Sequence, residues 1–312
     1  MSPSSQPHIV ISGKEFELPY SKGLMASRIM ATGLAPARAF HVAEVIEDRL
    51  HNEQRRSITA DELDRLTLEV LEAEVGERYA KSFAKWQMAH DLDVPLVILV
   101  GGATGVGKST IATMLANRLG ITRVIPTDAI REVMRSMITG TLMPALHTSS
   151  FDAAEVVTTP LPRSADPVIM GFREQVSAVA VGVQALIRRA VEEGSPMIVE
   201  GAHLVPGFID TSAFARNAVV VPIVVSVDDE ELHRSHFAAR GQDVATRQSE
   251  RYLDFFENIR KIQKYVKSLA LQHGVPIVPS YNLDATLSQV IDLVVNQELG
   301  ALPKTKSKRG AS

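Results

Sequence analysis

The feature that most constrains this chain is an apolar run that ends in glycine. Val94–Val100 is rich in β-branched residues and runs through Gly101 into Gly102-Ala103-Thr104-Gly105-Val106-Gly107-Lys108-Ser109. Such a run suits a central strand buried on both faces. The next segment has the spacing G-x-x-x-x-G-K-S and opens a helical stretch that closes at Gly120, a good residue for a helix end. Strand, glycine loop and helix in that order form a phosphate cradle, the P-loop. The glycines let backbone N–H groups turn inward, and the helix adds the positive end of its dipole. The residues read as nucleotide contacts run from Gly102, Ala103, Thr104, Gly105, Val106 and Gly107 to Lys108, Ser109 and Thr110. Lys108 is expected to reach the β- and γ-phosphates, and Ser109 to hold Mg²⁺ beside ATP.

Beyond Asp93 strands and helices alternate. Arg123–Pro126, Met197–Glu200, Val219–Val227 and Pro276–Pro279 read as strands. Helical stretches fall around Ile130–Met137, Arg173–Glu193, Glu230–Arg240, Glu250–His273 and Ala285–Leu299. That alternation predicts an α/β unit, a P-loop NTPase fold with a five-stranded parallel sheet covered on both faces. Before it, Leu63, Leu66, Val70 and Leu71 recur at helical spacing. Thr59 with Glu62 has the form of a capping box, which predicts a helix start just after Ile58. At 312 residues two domains are expected: a small, mostly helical one over 1–92, the P-loop unit over 93–300, and a disordered basic tail over 301–312.

The acceptor side is read from where the other strands end. Asp128 follows Val124–Thr127 at the carboxyl edge of the sheet, where open α/β sheets bind ligands. It could orient or deprotonate an acceptor hydroxyl, or it could cap the helix that follows. Arg131 and Arg135 share one helix face; they could receive an anionic substrate, or form a solvated stripe balanced by Glu132. Glu200 ends an apolar strand and is a candidate partner for Mg²⁺. His203 could touch substrate or be hydrogen-bonded in place. Arg234, Arg240, Arg247 and Arg251 surround Gly241 like a closing lid, with Arg240 and Arg247 read beside Lys108 and Asp128 as catalytic; each could also be a surface charge.

Composition narrows the classes. A net charge of −3 argues against a nucleic-acid binder. The absence of cysteine excludes disulfides, thiolate metal sites and a cysteine nucleophile. The opening MSPSSQPHIVISG lacks the pattern of a signal peptide, and Ala218–Val227 and Val176–Ile187 are too short to span a bilayer, so a cytoplasmic enzyme without a membrane partner is expected. A homo-oligomer is left open.

The blocks GGATGVGKST, PTDAIREVMR, LHTSS at Leu146–Ser150, GFREQV at Gly171–Val176, IVEGAHLVPG at Ile198–Gly207, and RYLDFFENIRKIQKY ending at Tyr265 resemble archaeal-type 2-phosphoglycerate kinase. The resemblance covers most of the chain from about 94 to 299. It implies phosphorylation of 2-phosphoglycerate by MgATP to 2,3-bisphosphoglycerate. Kinases with this core also act on other anionic polyols and sugar acids, and a non-catalytic ATP-sensing regulator is the rival from outside the enzymes. The first segment looks like an ATP-cone, carried by Val10, Gly13-Lys14, Pro19–Gly23, Ala31–Ala35, Glu47–Leu50, Ile58–Leu63 and Tyr79 onward. That implies a regulatory ATP with Lys14 and Lys22 near its phosphates; the alternative is a packing or dimerisation module.

Overall fold

The computed structural model describes residues 9–12, 17–90, 94–157, 161–240 and 251–294, with 12, 17, 88–90 and 238–240 described by backbone alone. The chain divides into two compact units, Met1–Leu92 together with Ile291–Ser312, and Asp93–Val290.

The first unit pairs helices with a small sheet. Strands β1 (Val10–Ser12), β2 (Glu17–Pro19) and β3 (Ser57–Thr59) lie in the order β2-β1-β3, with β1 antiparallel to β2 and parallel to β3. Helices α1 (Lys22–Met30), α2 (Pro36–Asn52), α3 (Ala60–Glu74) and α4 (Glu77–His90) accompany it. The capping box is present: Thr59 Oγ1 accepts from the Glu62 N–H at 3.3 Å, and Glu62 Oε2 accepts from the Thr59 N–H at 3.1 Å. Val42, Ile46 and Leu50 of α2 meet Leu63, Val70 and Leu71 of α3 in one core, the inward stripe expected at helical spacing.

The second unit holds β4 (Leu96–Gly101), α5 (Lys108–Leu119), β5 (Val124–Pro126), α6 (Thr127–Met137), α7 (Pro167–Glu193), β6 (Met197–Gly201), β7 (Val219–Ser226), α8 (Glu230–Arg240), α9 (Phe256–Gln272), β8 (Ile277–Pro279) and α10 (Leu283–Leu293), whose last residues belong to the first unit. Its five strands are all parallel, in the order β5-β6-β4-β7-β8. β4 is central and buried on both faces: Val97 and Leu99 join Val179, Val183 and Ile187 of α7 in one core, while Ile98 and Val100 point the other way and are also buried. Each such side chain contributes roughly 1.5–3 kcal/mol, so the strand bearing the phosphate loop is firmly held.

Four helices depart from the sequence expectation: α6 starts at Thr127 rather than Ile130, α9 starts at Phe256 rather than Glu250, and α7 and α10 are shifted too. α7 starts at Pro167 rather than Arg173, because Asp166 caps it, accepting from the Val168 N–H at 2.9 Å, and Pro167 occupies the first turn. α10 starts two residues before the expected Ala285 and its description ends at Leu293. Among the described residues no helix is long and apolar enough to cross a membrane.

Candidate active site

The turn from β4 into α5 builds the phosphate cradle. Gly105 adopts φ +86°, and a Cβ there would lie 2.2 Å from the ring tip of Phe237, so conformation and space both demand glycine. Ala103 and Val106 are fully buried, so they can offer a ligand only backbone groups. Two histidines of α8 fasten the loop from outside. His233 Nε2–H donates to the Thr104 carbonyl at 2.8 Å, and His236 Nδ1–H donates to that of Gly105 at 2.9 Å. Burial pushes His233 down to about 4.

Lys108 is buried, with Nζ donating to the Ala103 carbonyl at 2.8 Å. Ser109 Oγ donates to Glu200 Oε1 at 2.8 Å, which joins the loop to the end of β6. Serine hydroxyl and carboxylate together are hard oxygen donors of the kind Mg²⁺ takes. Among the described residues no cluster of three His, Asp or Glu forms an all-protein cage. Ser109 and Glu200 therefore fit a metal that arrives with a nucleotide. Beside the loop opens a cavity of about 300 Å³ lined by Gly105, Gly107, Thr110, His236, Tyr281 and Asn282 among others. Neither His236 nor the 280–283 turn was marked in the sequence.

On the other side of the loop, Asp128 is the second residue of α6. It does not cap the helix: Pro126 holds the cap position with no side-chain bond. Its carboxylate is 74% exposed, with Oδ1 3.5 Å from Arg131 Nε. Arg131 is largely buried and donates through Nη1 to the Thr148 carbonyl, while its buried Nε–H has no hydrogen-bond partner. An orphaned guanidinium donor beside an exposed carboxylate is a place where a ligand atom would be welcome. Arg135 is paired with Glu132 at 3.2 Å.

His203 is corrected by the structure. It is 1% exposed and both ring nitrogens are engaged, Nδ1 with Thr127 Oγ1 at 2.8 Å and Nε2 with Gln175 Oε1 at 2.9 Å, so no ring edge is left for a substrate. Burial pushes it down to about 4; nearby Asp128 opposes that shift, while Arg131 and Lys108 add to it. The charges of the phosphate loop and of α6 thus converge around this ring.

Of the lid arginines, Arg234 lies 3.8 Å over the Phe256 ring and pairs with Glu257, and Arg251 binds the buried Asp152. Both are held by protein groups. Arg240 closes α8 with its side chain outside the described set, and Arg247 and Lys14 lie outside the described residues. Lys22 is half-buried and sits between Glu44 at 3.3 Å and Glu47 at 3.1 Å, whose carboxylates raise its pKa, Glu47 foremost.

Known relatives match nearly the whole chain. The 2-phosphoglycerate kinase of Methanothermobacter thermautotrophicus is 38% identical over 282 residues, 90% of this chain and 92% of its own length. The chain belongs to the 2-phosphoglycerate kinase family. Other members are those of Methanocaldococcus jannaschii, 38% identical across 94% of this chain and 93% of theirs, and Methanopyrus kandleri, 36% across 93% and 88%. No family model matches. Among solved structures, shikimate kinase from Acinetobacter baumannii covers 66% of this chain and 96% of its own at 15% identity and a TM-score of 0.38. A gluconokinase from Sinorhizobium meliloti covers 64% and 95% at 15% and 0.35.

Proposed function

We propose that this chain is an ATP-dependent kinase that phosphorylates 2-phosphoglycerate to 2,3-bisphosphoglycerate. The observation that carries the reading is identity of 38% across nine-tenths of both chains with relatives named for that substrate. The geometry supports it with a phosphate loop on one side and an exposed carboxylate beside an unsatisfied arginine on the other.

In the proposed reaction the free hydroxyl of 2-phosphoglycerate attacks the γ-phosphorus of ATP, the bond from that phosphorus to the β,γ-bridging oxygen breaks, and ADP leaves. Asp128 orients the hydroxyl and takes its proton, and Arg131 receives the acceptor's anionic groups, joined by Arg135 once it exchanges Glu132 for the ligand. Lys108 and the N-terminus of α5 stabilise the triphosphate, while the cavity beside His236 takes the nucleoside. Ser109 and Glu200 would hold Mg²⁺, which when bound neutralises charge on the β- and γ-phosphates. Arg240 and Arg247 are proposed to close over the transferring group. The protein's contribution is positioning and electrostatics rather than covalent chemistry.

The unit over 1–92 is proposed as an ATP-cone-like regulatory domain with Lys14 and Lys22 at its nucleotide; Lys22 would then exchange Glu44 and Glu47 for phosphate. The catalytic domain is proposed over 93–300 and a tail over 301–312, in a cytoplasmic setting where ATP is supplied. The test is ADP release with MgATP against 2-phosphoglycerate, 3-phosphoglycerate, glycerate, gluconate and shikimate in parallel. Turnover confined to 2-phosphoglycerate and abolished in Asp128→Ala upholds the reading. Turnover only on another acceptor, or none on any, overturns the substrate or the kinase respectively.

A further inference from the structure

Behind the acceptor side lies a chain of buried polar groups whose directions are fixed by elimination. Gln175 of α7 donates its amide hydrogens to the carbonyls of Ala145 and of Thr148, the latter at 3.0 Å. Its Oε1 therefore faces His203 Nε2. An amide oxygen only accepts, so Nε2 carries the proton and Nδ1 is a lone pair. Thr127 Oγ1 must then donate to Nδ1. Thr127, His203 and Gln175 are each at most 1% exposed. Fit is tight at one end as well: a Cβ on Gly201 would stand 1.7 Å from Thr127 Oγ1, so glycine is required for the hydroxyl to sit where it does.

The two ends of this relay are the two parts of the acceptor side. Thr127 opens α6 and is bonded covalently to Asp128. At the other end, the Thr148 carbonyl accepts from Gln175 and from Arg131 together, so the 145–148 segment and the guanidinium are referred to the same point. None of the three relay side chains lines the cavity beside the phosphate loop. Stability alone does not call for polar groups here, because apolar residues of the same shape can replace a buried hydrogen-bonded set at little loss. Hydrogen bonds add direction, which apolar contact lacks.

We infer that the Thr127–His203–Gln175 relay is a positioning device for the acceptor, setting where Asp128 and Arg131 stand while leaving nucleotide binding alone. This rests on the reading that Asp128 and Arg131 face the acceptor. Replacing the ring breaks both bonds and frees the first turn of α6 to shift. A misplacement of about 1 Å at such a site can lower the rate about 100-fold.

The experiment measures kcat and KM for 2-phosphoglycerate, and separately the Kd for ATP, on the full chain carrying His203→Phe, Thr127→Val, both together, His203→Gln, and Asp128→Ala. His203→Phe is expected to lower kcat/KM for 2-phosphoglycerate about 100-fold with the Kd for ATP changed less than about twofold. Thr127→Val keeps shape and removes one bond, so a loss of about tenfold with the same split is expected; it carries the test should His203→Phe fail to fold. The double variant is expected to lose no more than His203→Phe alone, because the bonds act as one unit. His203→Gln, which retains a donor and an acceptor, recovers much of the loss. Equal losses toward both substrates, or parental acceptor constants in the relay variants while Asp128→Ala is dead, overturn the inference alone. Full acceptor turnover by Asp128→Ala removes the reading beneath it, and the inference with it.

Discussion

Replacing Glu200 by glutamine tests the metal site with the least disturbance. The carboxylate is 7% exposed and accepts from Ser109 Oγ at 2.8 Å. Glutamine keeps the volume and one acceptor oxygen, but exchanges the other oxygen for an NH₂ group that repels a cation. Loss of a partner that orients a metal ligand typically lowers metal affinity about 10–100-fold, or roughly 1.4–2.7 kcal/mol. Folding stability is expected to hold or rise, since a buried charge is removed without leaving its donor unpaired. The assay is ADP release at fixed ATP over a Mg²⁺ titration, beside a thermal melt. The expected result is a Mg²⁺ half-saturation raised about 10–100-fold with a melting temperature no lower than the parent's. An unchanged Mg²⁺ curve at full turnover would refute the assignment of Glu200 to the metal.

Three further outcomes are expected. Gly105→Ala sets a Cβ 2.2 Å from the Phe237 ring at a positive φ, so ATP affinity is expected to fall at least about tenfold, read by calorimetry. Thr59→Ala removes one half of the capping box and is expected to destabilise the first unit by about 1 kcal/mol. Trp86, the chain's single tryptophan, lies in α4 of that unit, so its fluorescence in a urea titration reports the change. For pH, His203 falls from an ordinary 6.5 to about 4 in the fold, so the unfolded chain binds its proton first. Stability from keeping the ring neutral is full above 6.5 and is lost as pH falls toward about 4, by on the order of 3 kcal/mol. Urea midpoints of the parent should therefore fall more steeply over that window than those of His203→Gln, and parallel slopes would contradict it.

Local chemistry decided what could be read from the sequence. The phosphate loop was legible because its glycine spacing is a backbone requirement, and the Thr59–Glu62 cap because both of its bonds are local. Asp128 was legible in place but not in its surroundings: two residues of helix start, at Thr127 rather than the Ala129 that a cap at Asp128 would give, move it from a cap into the first turn. Gln175 lies inside a 27-residue helix, and periodicity says only that its face is inward. Its partner is 28 positions away and the carbonyls it grips are 27 and 30 away, so nothing nearby announces its role. His233 and His236 escaped for the same reason: their acceptors are 129 and 131 positions earlier. Arg131 and Arg135 looked equivalent at a spacing of four, and only packing separates the buried one from the one neutralised by Glu132.

The place of β4 in its sheet has a consequence for biosynthesis. Its neighbours are β6 and β7, and Val97 pairs with Met197, one hundred positions later. At about 5–20 residues per second a ribosome takes roughly 5–20 s to make that distance. Throughout that interval the nascent chain carries a six-residue apolar strand with both edges unpaired. The first unit's described strands and helices, by contrast, are made before β4 emerges, apart from the end of α10. Chaperone capture during synthesis should therefore centre on residues 96–101, and ribosome-bound chains halted before residue 197 should cross-link there to a holdase.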